Sequence, residues 1–141
     1  MDLSTINWWA VLACTFLCMV TGSIWYNPKT FFPMWWAEVG KTETPGMANM
    51  GILWALVVVS SVVQAIAMAI MVPAMGKLMS AGEATLANGA MTGFMLWMGF
   101  VAPMYLVNKL FAGHSLKIWA IEVGNHLVNL VLFGMIFGAW H

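Results

Sequence analysis

The chain has 141 residues, 62% of them hydrophobic and 7% charged, with no arginine and a formal net charge of zero. A soluble protein of this length cannot hide that much apolar surface, so lipid is its expected solvent. The neutral balance excludes a nucleic-acid surface, which needs a basic face, and a polybasic lipid-binding patch.

The length predicts one domain, 1–141, with no room for a second, soluble module. The first apolar stretch, about 7–26, opens on Asn7, Trp8 and Trp9 and closes on Trp25, Tyr26, Asn27 and Pro28. Aromatic residues at both ends fit the two belts of a bilayer, and Pro28 stops the helix. Met1 to Thr5 lacks the positive segment of a signal peptide, so this stretch is expected to remain as a membrane helix. Cys14 and Cys18 lie one turn apart within it and read as small apolar residues.

Phe31, Phe32, Met34, Trp35 and Trp36 are too apolar for a solvated loop, and Pro33 can open a short helix. The segment 31–40 is therefore expected to lie in the membrane interface, with Lys29, Glu38, Lys41 and Glu43 on its wet side. Thr44 and Pro45 provide a cap for a second helix, about 45–72, which Pro73 and Gly76 are expected to end. Ser80 and Glu83 match a capping box for a third helix, about 81–107, with a kink at Pro103. Ser115 caps a fourth, about 116–139. Lys29, Lys41, Lys109 and Lys117 sit on the first and third connections and only Lys77 opposite, which predicts both termini outside the cytoplasm. Tyr26 to Phe31 is faintly echoed by Tyr105 to Phe111, as a two-plus-two repeat would be.

The fourth helix carries the chemistry. At 100° per residue from Glu122, Asn125 falls at about −60°, His126 at about +40° and Asn129 at about −20°. These four polar side chains share one arc, while Ala120, Gly124, Gly134 and Gly138 lie opposite. An acid at mid-span costs about 2.5–3.5 kcal/mol on insertion scales, so the arc is expected to face protein or trapped water. Glu122 and His126 are four apart and can touch. Gln64, with Ser60 and Ser61, offers the most central partner on helix two. The cluster Gln64, Glu122, Asn125, His126 and Asn129 is the candidate binding site. Its alternative is a hydrogen-bond network that sets helix register. Gly89 and Gly93 on helix three and Gly134 and Gly138 on helix four form G-x-x-x-G patterns, suited either to packing these helices together or to a homodimer seam.

No metal site is expected, because zinc needs three or four ligands and Glu122 with His126 supplies two. No cofactor is expected either, with haem or chlorophyll on His126 alone as the remaining alternative. No catalytic residues are assigned: hydrolytic motifs and phosphate-binding glycine loops are absent from the sequence, and the balance leans away from an enzyme.

The landmarks together resemble the domain of unknown function 1761 family of small bacterial integral membrane proteins. The matching residues are Asn7 to Val11, Gly22 to Pro28, Phe31 to Trp35, Leu96 to Val101, Asn108 to Gly113, Leu116 to Ile121 and His126 to Val128. The resemblance implies a four-helix protein of the bacterial inner membrane and gives weight to Asn7, Trp8, Trp25, Tyr26, Pro28 and His126. Asn125 stands where such proteins often carry tyrosine. The expected fold is thus an all-α polytopic bundle of four transmembrane helices with an interfacial aromatic segment. Its partners are expected to be the lipid bilayer and either further copies of the chain or a larger membrane complex, with no nucleic acid. Three functions follow: a small-molecule, ion or proton site at the intramembrane cluster, an accessory subunit of a larger assembly, or, behind both, a membrane protein that binds a cofactor through His126 alone.

Overall fold

The computed structural model describes residues 3–41, 50–79 and 84–140. Among the described residues a 3-10 turn at Leu3–Thr5 is followed by six helices: α1 (Trp8–Trp25), α2 (Phe32–Glu38), α3 (Met50–Met79), α4 (Leu86–Leu96), α5 (Ala102–Phe111) and α6 (Leu116–Ala139). A π-helical turn, Trp97–Val101, joins α4 to α5 without a break. Four of the resulting rods are long and apolar enough to cross a membrane: α1, α3, the α4–α5 unit and α6. The chain is an all-helical, four-span bundle with α2 as a short extra helix.

Local chemistry accounts for the helix ends. The Asn7 carboxamide oxygen accepts from the Ala10 N–H at 3.1 Å and starts α1. Thr85 accepts from Asn88 N at 3.2 Å and starts α4. Ser115 accepts from Ile118 N at 3.4 Å and starts α6. Each satisfies one donor that the first turn of a helix leaves open. The expected caps at Thr44 and Pro45 and at Ser80 and Glu83 lie outside the described residues.

Three expected boundaries are corrected. α3 does not stop at Val72 but runs through Pro73 to Met79. Proline removes one N–H, whereas ending the helix there would leave several backbone groups unpaired in hydrocarbon. Val72 and Gly76 are buried and hold that turn in the bundle. The third span starts at Leu86 rather than near 81, with Ala84 and Thr85 outside the helix and Thr85 as its cap, and it continues past 107 to Phe111.

α6 is the most enclosed span. Its C-terminal half packs Leu130, Phe133 and Phe137 against Ile6, Ala10 and Cys14 of the N-terminal segment and Ala65, Met68 and Val72 of α3. On its other side α6 meets α4 through glycines. A Cβ on Gly89 would overlap the Gly134 carbonyl oxygen, one on Gly93 that of Leu130, and one on Gly138 that of Thr85. The two G-x-x-x-G runs therefore serve each other within one chain, and backbone approaches backbone along the seam.

Candidate functional site

The N-terminal half of α6 carries the polar arc, and the register of α5 decides what meets it. Pro103 has no N–H, so the Gly99 carbonyl loses its i+4 donor, and the chain widens into the π turn in which Ala102 N reaches back to Trp97 O. One extra residue in the turn shifts the face that α5 shows to α6. Continuing the α4 face (Gly89, Gly93, Trp97) at helical spacing would present Met104 and Asn108. Instead Ala102, Tyr105 and Lys109 turn inward, while Met104 and Asn108 stay exposed.

Tyr105 and Lys109 are spaced i, i+4 on α5, and Glu122 and His126 are spaced i, i+4 on the antiparallel α6. The two pairs zip together. Lys109 Nζ lies 2.8 Å from Glu122 Oε2 in an ion pair whose side chains are 21% and 13% exposed. Lys109 Nζ also donates to Oε1 at 2.9 Å, and Trp35 Nε1 of α2 donates to the same oxygen at 3.0 Å. One turn deeper, His126 Nε2 and the Tyr105 hydroxyl are 3.0 Å apart. Each of Glu122 and His126 thus bonds across to α5. No hydrogen bond joins them to each other, because the neighbouring helix offers a cation to the acid and a hydroxyl to the imidazole.

Below them the arc continues into the protein. Asn129 Nδ2 donates to Asn125 Oδ1 at 3.2 Å, and Thr21 of α1 donates to Asn129 Oδ1. Asn125 is 8% exposed and Asn129 2%. Asn125 Nδ2 is buried and has no hydrogen-bond partner among the described residues. Along α6 the polar groups run from about 9 Å to about 20 Å from Leu116. They form a stripe that enters at the end where α2 lies and stops against the Phe133 layer.

Gln64 does not join this group. Its Nε2 donates to Ser60 Oγ on the same helix at 3.4 Å. The candidate site therefore consists of Glu122, His126, Asn125 and Asn129 together with Tyr105, Lys109, Trp35 and Thr21. Lys109 reads in the sequence as a lysine that sets topology, and Tyr105 as an interfacial aromatic. The available signal was their i, i+4 spacing opposite Glu122 and His126 on the next, antiparallel helix.

The tryptophans frame the stripe. Trp25 Nε1 donates to Ile121 O at 2.9 Å, Trp97 Nε1 to Val123 O at 2.7 Å and Trp119 Nε1 to Ala102 O at 2.9 Å. An indole N–H in a membrane needs such a partner, and these bonds tie α1, the π turn and α5 to α6. Gly124 allows the first of them, since a Cβ there would stand 2.9 Å from the Trp25 ring. Tyr26 follows as the C-cap residue of α1 and meets Trp35 edge-on, with ring centroids 5.5 Å apart. Trp8 and Pro28 are exposed at the two ends of α1.

At the surface, Ser115 Oγ donates to Glu38 Oε2 at 2.6 Å, and Lys117 Nζ lies 3.4 Å from Glu38 Oε1. The Ser115 hydroxyl, then Lys117, holds the Glu38 carboxyl below the usual carboxylate range. Lys41, the other cation nearby, sits over the Trp36 ring at 5.1 Å. A lowered pKa stabilises the folded contact above the ordinary carboxylate value, and the contact is lost as pH falls through the lowered one. Amide exchange of α2, corrected for its intrinsic pH dependence, is therefore expected to stay level from neutral into mildly acid pH. It should accelerate only below the usual carboxylate range. Acceleration near neutral pH would contradict this assignment.

Among the described residues no group of three or more His, Cys, Asp or Glu is placed to hold a metal ion. Compared with known proteins, the family described as "Protein of unknown function (DUF1761)" matches residues 9–138, nearly the whole chain. The chain belongs to the DUF1761 family. No curated protein and no solved structure matches it. The family match runs from the aromatic start of α1 through the glycine seam of α6, so it covers every residue of the polar stripe.

Proposed function

We propose that this DUF1761 protein is a non-enzymatic membrane protein whose α6 stripe binds a small solute and exchanges a proton with it. The buried Asn125 amide with an unpartnered terminal atom carries this reading, because a polar atom enclosed by protein calls for a further hydrogen-bonding group. Around it, Lys109 already neutralises Glu122, which disfavours a bare ion of either sign. His126, hydrogen-bonded to the Tyr105 hydroxyl, carries the exchangeable proton. Lysine placement supports a bacterial inner-membrane orientation with both termini outside and the α2 end of the stripe facing the cytoplasm.

The test is proton flux in vesicles containing the purified chain, read by a trapped pH-sensitive dye under an imposed pH gradient. Glu122→Gln and His126→Ala are each expected to lower the flux roughly tenfold or more while the helix content of the protein is kept. Unchanged flux in both variants would remove the reading.

The alternative, an accessory or oligomeric subunit, draws support from α3. Residues 51–60 are exposed on every side, as suits a helix that leaves its own bundle to lie against lipid or another protein. Mass measurement of the gently solubilised particle separates the two: a larger assembly, together with tolerance of both substitutions, favours the subunit.

A further inference from the structure

We propose that α2 is a lid over the Glu122 site, plugged by Trp35 and latched by Glu38 on Ser115 and Lys117. This regulation rests on reading the α6 stripe as the functional site. α2 has no fully buried residue and packs on α6. Two of its attachments to the bundle are polar contacts with the site and with the start of α6. One is the Trp35 N–H on the Glu122 carboxylate, 3.0 Å away, and the other is the Glu38 carboxylate at the start of α6. The first covers the site and the second holds the cover.

The hinge side is built separately. The Thr30 hydroxyl lies 2.6 Å from Ile24 O, 2.8 Å from Trp25 O and 3.1 Å from Asn27 O, and Phe31 N donates to Trp25 O at 3.2 Å. That turn is fastened to the end of α1, whose Trp25 is fastened to α6. At the other end of α2, Gly40 adopts a positive φ of 78° and ends the helix. A seven-residue helix with one fastened end and a polar latch at the other can open without moving a span, because local opening costs only the contacts it breaks. Once α2 is lifted, Glu122 loses its indole donor and keeps Lys109, and the entrance of the stripe meets the interface.

The experiment uses the full chain in lipid nanodiscs, treated with a water-soluble carbodiimide and an amine, with modification of Glu122 read by peptide mass spectrometry. Glu38→Ala is expected to raise Glu122 modification roughly three- to tenfold, and Lys117→Ala to raise it less. Amide exchange should rise in α2 and stay unchanged along the α4–α6 glycine seam. Unchanged modification in Glu38→Ala overturns the lid. So does an equal rise of exchange in the seam, which marks general loosening. The flux assay keeps the two readings apart. Lid opening with a flux indifferent to both Glu122→Gln and His126→Ala leaves the lid and removes the site. A flux that needs Glu122, with modification indifferent to Glu38→Ala, does the reverse.

Discussion

Lys109→Met is expected to destabilise the fold by about 2–4 kcal/mol, and adding Glu122→Gln to it to restore most of that loss. The two side chains are 21% and 13% exposed, and the pair lies in the last turn of α5 and the second turn of α6, toward the ends of those spans. That position places the expected cost somewhat below that of breaking a fully buried ion pair. Without the ammonium, the Glu122 carboxylate keeps only the Trp35 N–H and is left as an unpaired charge next to hydrocarbon. With both groups neutral and of similar volume, little electrostatic penalty is left. A double-mutant cycle on reversible unfolding in mixed micelles measures the coupling. A single Lys109→Met variant within about 0.5 kcal/mol of the parent would show that the pair contributes nothing.

Gly134→Ala is expected to cost about 3 kcal/mol or more, although it adds a single methyl group. The added carbon would overlap the carbonyl oxygen of Gly89, and backbone cannot rotate aside as a side chain can. α4 and α6 would have to move apart, which also loosens the contact of Gly93 with Leu130 and of Gly138 with Thr85. Gly22→Ala is the control. Nothing lies within 4 Å of a Cβ there, so that variant should be neutral or gain up to about 1 kcal/mol from helix propensity. Equal stability of the two variants, by thermal or denaturant unfolding, would contradict close packing of the seam.

The candidate site was only half legible in the amino-acid order. Glu122, Asn125, His126 and Asn129 stand out because polar side chains on one arc of an apolar helix are costly in lipid. Their partners did not stand out, because partners belong to another helix and depend on its rotation. Gln64 is the most central polar residue on its span, yet it faces Ser60 on its own helix. Lys109 sits near a helix end, where a lysine ordinarily reaches for water, yet it turns inward to an acid. Pro73 and Pro103 show the same division. Each removes one N–H, but the first is absorbed by a continuing helix and the second opens a π turn.

Span number, the lipid environment, the interfacial aromatic segment and the polar face of α6 follow from composition and periodicity, because hydrocarbon penalises charge and unpaired backbone wherever they occur in the chain. The pairing of Lys109 with Glu122 and Tyr105 with His126 needed the packed bundle. So did the mutual use of the two glycine runs and the seating of Trp35 on the site. These depend on the rotation and axial offset of one helix against another. A one-residue widening at Trp97–Val101 changes which face of α5 meets α6 without changing the apolar character of the span.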